Sequence, residues 1–113
     1  DFIIIDAGMN DFMRPALYDA VHKIIPIRKS KSKLKGIIEF VGPICESTCK
    51  FGSYKNYQKM SENDFVAITN VGAYGSSLSS NYNSRPLIAE LLVNKNKIKY
   101  IRKKQDLLKI INS

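Results

Sequence analysis

Short runs of β-branched and aromatic residues, each closed by a turn, most constrain how this chain can fold. Residues 2–5, 36–41 and 65–71 read FIII, GIIEFV and FVAITNV, and each run is followed by a residue typical of turns. Short runs of this composition are typical of β-strands. Two later runs, 87–93 and 98–102, flank the polar segment NKNK and predict a hairpin. The sequence therefore predicts a mainly β fold.

Helical signals occupy a smaller part of the chain. Apolar residues recur at helical spacing from Met13 to Ile24, Pro15 suits a first helical turn, and Pro26 ends the run. The segment QDLLKIIN near the end of the sequence predicts a second short helix. The segment 72–86, GAYGSSLSSNYNSRP, is rich in Gly, Ser and Asn and predicts a long polar loop. We therefore expect a mainly β sandwich or barrel with short α-helices.

Length and composition limit the class of protein. A chain of 113 residues forms one small domain with one core, and 44% hydrophobic with 25% charged residues excludes a disordered chain. No apolar run approaches the ~18 residues of a membrane span, and no signal peptide is visible. We expect a cytoplasmic protein without membrane contact. The chain opens with a strand of the buried type and no initiator Met, so we also expect further polypeptide before Asp1.

The net charge of +8 is concentrated in two segments, RKSKSKLK at 28–35 and KNKIKYIRKK at 95–104. Such segments occur in nucleic-acid-binding surfaces, and they equally occur as solvated lysine-rich loops and strand faces. Binding of single strands by stacking uses aromatic residues placed among the basic ones. Tyr100 is the only aromatic residue in either segment, so the sequence disfavours a nucleic-acid partner.

The segment GPICESTC at 42–49 contains both cysteines of the chain. Structural zinc sites use four ligands, mostly Cys and His, and Cys45, Cys49 and His22 are too few, so we predict no metal site. A Cys45–Cys49 disulfide is disfavoured in a reducing compartment. A thiol is mostly protonated at neutral pH, so Cys45 could donate a proton while Glu46 binds a cationic group. The alternative is a small buried cysteine beside a solvated glutamate.

Arg14, Tyr18 and Tyr74 are candidates for ligand contacts. Arg14 and Tyr18 lie one helical turn apart, and a guanidinium beside a phenol suits a carboxylate. In the alternative, Arg14 is exposed and pairs with an acidic residue such as Asp11. Tyr74 stands between two glycines in GAYG, where the backbone can approach a ligand closely. In its alternative, Tyr74 packs its ring and points its hydroxyl at water.

Three motifs occur in order along the chain: DAGMNDFMRPALYDAVH, GPICEST and GAYGSSLSSNYNSRP. Together they resemble the C-terminal region of the diaminopimelate decarboxylase family, from Asp6 to about Val93. Related ornithine and arginine decarboxylases usually carry Cys-Asp where this chain has CES. One departure is visible, because Thr48 and Cys49 stand where the family usually has Gly-Asp or Ser-Asp.

The resemblance implies a fold-type III enzyme that depends on pyridoxal phosphate and works as a homodimer. Residues 1–113 would be its C-terminal β-domain, similar to that of alanine racemase. A (β/α)8 barrel with the cofactor lysine would lie outside this sequence. The implied reaction is the decarboxylation of meso-2,6-diaminopimelate to L-lysine and CO2, in lysine biosynthesis. Three alternatives stay open: a decarboxylase of another basic amino acid, an inactive truncated relic, and a basic nucleic-acid-binding β-domain.

The resemblance also implies roles for individual side chains. Arg14 and Tyr18 would hold the substrate, and Tyr74 would contact both the substrate and the cofactor. Cys45 would be the catalytic proton donor, and Glu46 would contact the distal end of the substrate. The family places this Cys-Glu pair in the active site of the partner subunit. If Arg14 binds the distal carboxylate and Glu46 the distal ammonium, a substrate lacking either group leaves a desolvated charge unpaired, at a cost of ~2–5 kcal/mol.

Overall fold

The computed structural model describes residues 1–112, apart from the side chain of Ala73. It confirms a mainly β chain with a few short helices. None of the helices in the described residues is long and apolar enough to cross a membrane. The elements in chain order are β1 (Phe2–Ile4), α1 (Arg14–Tyr18), β2 (Ile24–Pro26), β3 (Ile37–Val41), β4 (Lys50–Lys55), β5 (Val66–Ile68), α2 (Gly72–Ser77), a 3₁₀ turn (Tyr82–Ser84), β6 (Glu90–Asn94), β7 (Lys97–Arg102) and α3 (Leu107–Ile111).

Strand β3 is the centre of the largest sheet. β1 pairs with it in parallel and β4 antiparallel, so the strand order is β1-β3-β4. Because parallel neighbours need a crossover connection, the chain between β1 and β3 leaves the sheet and carries α1 and β2. β2 and β5 form an antiparallel pair, and β6 and β7 form the predicted hairpin. The loop between β3 and β4 carries Cys45 and Glu46.

The core lies where β2 packs against the largest sheet. Phe40 of β3 is fully buried, and the rings of Tyr54 and Tyr57 pack edge-on against it, with centroids 5.7 and 4.8 Å away. The Tyr54 hydroxyl donates to the carbonyl of His22 and accepts the Ile24 N–H, and the Tyr57 hydroxyl donates to the Ile24 carbonyl. Burial, with a smaller effect of Tyr54, raises the pKa of Tyr57 to about 12. The Tyr57 phenol is therefore a permanent donor at neutral pH and fixes β2 in place.

The helix predicted from Met13 to Ile24 is much shorter in the structure. It ends after five residues, because Asp19 adopts a left-handed conformation with a φ of 53°. Val21, expected on the apolar face, is 94% exposed. Ile24 belongs instead to β2, opposite Ile68 of β5. The prediction was wrong here because these β-branched residues pair with a strand that lies far along the chain.

The segment 72–86 is not the continuous polar loop that its composition predicted. Its first six residues form α2, and a 3₁₀ turn follows at 82–84. Tyr74 therefore lies on a helix and not at a loop tip. The predicted C-terminal helix is confirmed as α3, and the Asp106 carboxylate caps it by accepting the Leu108 N–H at 3.0 Å.

Candidate functional site

The turn that follows β1 is held by buried polar side chains. The Asp11 carboxylate accepts the Gly8 N–H at 2.8 Å. Asn10 is only 1% exposed, and its Nδ2 donates to Asp11 at 3.2 Å and to the carbonyl of Ser80 at 3.3 Å. The Ser80 N–H in turn donates to the Asn10 carbonyl at 2.8 Å. These reciprocal bonds fix the turn after β1 against the segment that follows α2.

Arg85 joins the same two segments by charge. Its Nη2 donates to the carbonyl of Asp6 at 2.6 Å and lies 3.6 Å from the Asp11 carboxylate. The Asp11 side chain is 6% exposed and that of Arg85 is 27% exposed, so the pair is largely shielded from water. The alternative in which Arg14 pairs with Asp11 is wrong, because among residues 1–112 the ion pair of Asp11 is with Arg85 and Arg14 forms none.

The loop between β3 and β4 packs closely on the turn after β1. A Cβ atom at Gly42 would lie 2.5 Å from the carbonyl oxygen of Ala7 and 2.6 Å from the Sγ of Cys49. A Cβ atom at Gly8 would lie 2.9 Å from Cγ1 of Ile44. Only glycine fits at these two positions without a shift of the surroundings. The two glycines therefore set the distance between the loop that carries Cys45 and the rest of the fold.

Cys45 and Glu46 occupy the exposed tip of this loop. The Glu46 N–H donates to the carbonyl of Ile44 at 2.8 Å, and the Cys49 N–H donates to the carbonyl of Glu46 at 3.1 Å. These turns leave both side chains exposed to solvent. The alternative of a buried Cys45 is therefore wrong. The thiol and the carboxylate are both accessible to a ligand.

The two residues that depart from the family pattern have structural contacts. Cys49 is 2% exposed and, like Cys45, is a free thiol. The Thr48 hydroxyl donates to the sulfur of Met9 at 3.7 Å. The burial of Cys49 and the contact of Thr48 with Met9 thus hold the loop without the acidic side chain that the family usually has at this place.

Tyr82 lies beside Glu46 and was not singled out from the sequence. Its hydroxyl donates to Oε1 of Glu46 at 2.7 Å. This hydrogen bond and the negative charge of Glu46 raise the pKa of Tyr82, and nearby Cys45 contributes in the same direction. Tyr82 belongs to the motif GAYGSSLSSNYNSRP, which was the available signal. Cys45, Glu46 and Tyr82 form one cluster, which we call the Cys45 cluster.

Arg14 and Tyr74 form a second group. The guanidinium carbon of Arg14, the first residue of α1, lies 5.8 Å from the centroid of the Tyr74 ring. This is within the range of a cation–π contact. Tyr18 lies at the other end of the same short helix and is 63% exposed, and Tyr74 is 66% exposed. Among residues 1–112, no hydrogen bond, ion pair or ring contact joins Arg14 or Tyr74 to the Cys45 cluster.

The other titratable side chains considered above have structural partners. His22 is buried, its Nδ1 contacts the carbonyl of Thr69 at 3.0 Å, and its ring packs edge-on against Phe12. The described part of the chain contains no cluster of three or more His, Cys, Asp or Glu that could hold a metal ion. A largely apolar groove of about 890 Å³ lies beside β1, β5 and α2, and none of the five predicted site residues lines it.

The profile of the pyridoxal-dependent decarboxylase C-terminal sheet domain matches residues 1–72. The chain belongs to this family. A diaminopimelate decarboxylase from Helicobacter pylori is 47% identical over 106 residues, which cover 94% of this chain and 26% of the relative. One from Aquifex aeolicus is 42% identical over 105 residues, which cover 93% of this chain and 25% of the relative.

Solved structures of this decarboxylase family show the same fold. The crystal structure of diaminopimelate decarboxylase from M. jannaschii in co-complex with L-lysine matches with a TM-score of 0.90 and 38% identity, over 97% of this chain and 25% of that one. The H. pylori enzyme complexed with L-lysine matches with a TM-score of 0.86 and 44% identity, over 98% of this chain and 27% of that one. The chain therefore spans about a quarter of the length of these relatives.

Proposed function

We propose that this chain is the C-terminal domain of a pyridoxal-phosphate-dependent diaminopimelate decarboxylase, which converts meso-2,6-diaminopimelate to L-lysine and CO2. The observation that carries the proposal is the exposed tip of the loop between β3 and β4. It presents the Cys45 thiol and the Glu46 carboxylate to solvent while Gly42 and Cys49 pack its base. The identity of 47% with a diaminopimelate decarboxylase supports the choice of substrate.

The charges of the chain suit both ends of this substrate. Arg14 has a guanidinium that can hold a carboxylate in two places, and Glu46 has an exposed carboxylate that can bind an ammonium. A substrate that lacks one distal group leaves the corresponding charge without a partner, at a cost of ~2–5 kcal/mol when that charge is desolvated. Arg14 would therefore select diaminopimelate over its product lysine, which has no distal carboxylate, whereas the distal ammonium that Glu46 binds is present in both.

Cys45 is the proposed proton donor. A general acid must reach the reacting atom, and the exposed thiol at the loop tip can enter a pocket formed elsewhere. Its proton would be delivered to the substrate carbon from which CO2 leaves. Cys49 is not suited to this role because it is buried.

Pyridoxal phosphate, when bound, supplies the electron sink for the bond that breaks as CO2 leaves. Tyr74 fits a contact with this cofactor, because its exposed phenol lies on α2 beside the Arg14 guanidinium. These outward-facing side chains would line one side of a cofactor that is held by a lysine outside this chain. Tyr74 would thus contact both the cofactor and the substrate.

We further propose that the active sites form across a homodimer. The exposed loop tip that carries Cys45 and Glu46 can reach the active site of a second subunit, which supports a division of the site residues between two subunits. Each subunit would contribute Arg14, Tyr18 and Tyr74 to its own site, and Cys45 with Glu46 to the site of its partner. An isologous dimer makes this exchange reciprocal.

The test uses the complete polypeptide, meaning this chain together with the barrel domain of its family. Cys45→Ala should slow release of CO2 from diaminopimelate by ~10²–10⁴-fold with little change in KM, while Cys49→Ala, the matched thiol control, should keep its turnover. Arg14→Ala should weaken diaminopimelate binding. Co-refolding Cys45→Ala subunits with Arg14→Ala subunits should then restore about a quarter of the parent activity, since half of the dimers contain one intact site.

Each outcome separates a part of the proposal. Unchanged turnover in Cys45→Ala would remove the proton-donor role. Loss in both single variants without restoration in the mixture would keep the roles of Cys45 and Arg14 but place them in one subunit. A faster release of CO2 from lysine or ornithine than from diaminopimelate would assign the chain to a decarboxylase of another basic amino acid.

A further inference from the structure

Tyr82 makes a specific bond to the proposed recognition carboxylate. The distance of 2.7 Å between the Tyr82 hydroxyl and Oε1 of Glu46 lies in the short range of hydrogen bonds to an ionised acceptor. Both side chains are exposed, with Tyr82 at 47%. Burial therefore does not force the two side chains together, and the bond depends on how the backbone places them.

The backbone of Tyr82 is anchored on both sides. Two residues earlier, the Ser80 N–H donates to the carbonyl of buried Asn10 at 2.8 Å. The Asn81 side chain donates to the carbonyl of Arg85 at 2.9 Å and so closes the turn that contains Tyr82. Arg85 is in turn held by its bond to the Asp6 carbonyl. The backbone of Tyr82 is therefore held in place, and its phenol extends to Glu46, which lies 36 residues earlier in the sequence.

The turn itself has an uncommon backbone. Asn83 and Ser84, which directly follow Tyr82, have φ values of 58° and 57°. Left-handed conformations are uncommon for residues other than glycine. They persist where the surroundings determine them, and they concentrate at functional sites. Here the turn aims the Tyr82 ring at Glu46.

We propose that Tyr82 is a positioning residue that holds Glu46 in the conformation that receives the distal ammonium of the substrate. This inference rests on the proposed function of Glu46. The phenol occupies Oε1 and leaves Oε2 for the substrate. A glutamate side chain has three rotatable bonds, and an exposed one is otherwise spread over several rotamers. A phenol is protonated at neutral pH, so Tyr82 is the donor, and its hydrogen bond to Glu46 and the charge of Glu46 raise the pKa of Tyr82 further.

Tyr82→Phe tests this role, because it removes only the hydroxyl. In the complete polypeptide we expect KM for diaminopimelate to rise on the order of tenfold, as for loss of a hydrogen bond to a charged group, with kcat nearly unchanged. Tyr100→Phe is the matched control, since Tyr100 is similarly exposed, at 59%, on β7, and within residues 1–112 its side chain makes no hydrogen bond or ring contact with a site residue. An equal change in both variants, or none in Tyr82→Phe, would overturn the proposal.

A double-mutant cycle separates this inference from the proposed function. Glu46→Gln alone should raise KM, and Tyr82→Phe should add little in the Glu46→Gln background because the two residues act as a unit. Additive effects would refute the positioning role while Glu46 kept its own. If Glu46→Gln leaves KM unchanged, the proposed role of Glu46 fails first, and the inference fails with it.

A second readout does not depend on activity. In ¹³C-tyrosine NMR of the complete polypeptide, the Tyr82 resonance, assigned with Tyr82→Phe, should titrate at lower pH in Glu46→Gln than in the parent. This direction is expected because the hydrogen bond and charge of Glu46 raise the pKa of Tyr82. Identical titration in the two proteins would show that the bond does not form in solution and would overturn the proposal.

Discussion

The turn after β1 and the segment after α2 are joined by Asn10, Asp11, Ser80 and Arg85, and we call this joined region the frame. Removing the charge of Arg85 should weaken the frame. Arg85→Met keeps most of the aliphatic stem but leaves the Asp11 carboxylate, which is 6% exposed, without its guanidinium at 3.6 Å. Breaking a buried ion pair costs about 3–5 kcal/mol. Asp11 retains the Gly8 N–H at 2.8 Å and the Asn10 Nδ2 at 3.2 Å, and Arg85 is itself 27% exposed. We therefore expect a loss of about 2–3 kcal/mol, at or just below the lower end of that range.

Arg28→Met is the matched control for this prediction. Arg28 pairs with Asp64 at 2.8 Å, a shorter distance than in the Arg85–Asp11 pair, but the Arg28 side chain is 65% exposed. Exposed pairs contribute about 0–1 kcal/mol because water and salt screen them. If burial decides how much an ion pair contributes to the free energy of unfolding, the longer Arg85–Asp11 pair contributes more than the Arg28–Asp64 pair.

Hydrogen exchange measures this effect locally in the complete polypeptide, where a single unfolding transition is not expected. The amides of Gly8 and Ser80 both donate within the frame. In Arg85→Met they should exchange about 30- to 150-fold faster, the equivalent of 2–3 kcal/mol, while Arg28→Met should leave them within about fivefold of the parent. Equal acceleration by the two variants, or less than about fivefold in Arg85→Met, would refute the argument from burial.

Two further substitutions test the packing. Gly42→Ala places a Cβ atom 2.5 Å from the Ala7 carbonyl, a backbone atom that cannot rotate away, so hydrogen exchange of the Gly42 and Cys49 amides, which donate within this loop, should show a loss of about 3 kcal/mol. Gly36→Asn, in open space at a φ of +83° that Asn tolerates, should lose less than about 1 kcal/mol, and the reverse order would contradict the steric reasoning. For Tyr57, the raised pKa of about 12 means that the unfolded chain, with its phenol near 10.0, releases the proton first as pH rises. The urea midpoint of the complete polypeptide should therefore have its full value below pH 10 and fall between pH 10 and 12, more steeply in the parent than in Tyr57→Phe; parallel curves would show that Tyr57 is not buried as described.

The sequence predicted those elements whose signal is local. The run GIIEFV became β3, with Ile38 and Phe40 buried at alternate positions, because a strand repeats every two residues wherever it pairs. The extent of α1 could not be predicted in this way. Ile24 has the spacing of a helical residue, but its partner Ile68 lies 44 positions further along the chain, and no local pattern contains that information.

The same distinction explains which site residues were found. Cys45 and Glu46 stand together in one motif, so their shared chemistry is visible in the sequence. Tyr82 and Arg85 act through contacts that span 36 and 79 residues, and only the folded chain brings them to Glu46 and Asp6. The exposure of Cys45 could not be inferred either, because it depends on close packing at the base of its loop.

The three motifs therefore contain two kinds of residue with different expected effects. Buried residues such as Asn10 and Asp11 hold the loops together, and exposed residues such as Cys45 and Glu46 carry the proposed chemistry. Substitution of the buried kind should accelerate hydrogen exchange in the frame and lower kcat and affinity together, since every exposed side chain loses its support. Substitution of the exposed kind should change one kinetic constant and leave exchange unchanged. Tyr82 is the instructive intermediate: it is exposed like the second kind and anchored through Asn10 like the first, so Tyr82→Phe should move KM without moving exchange.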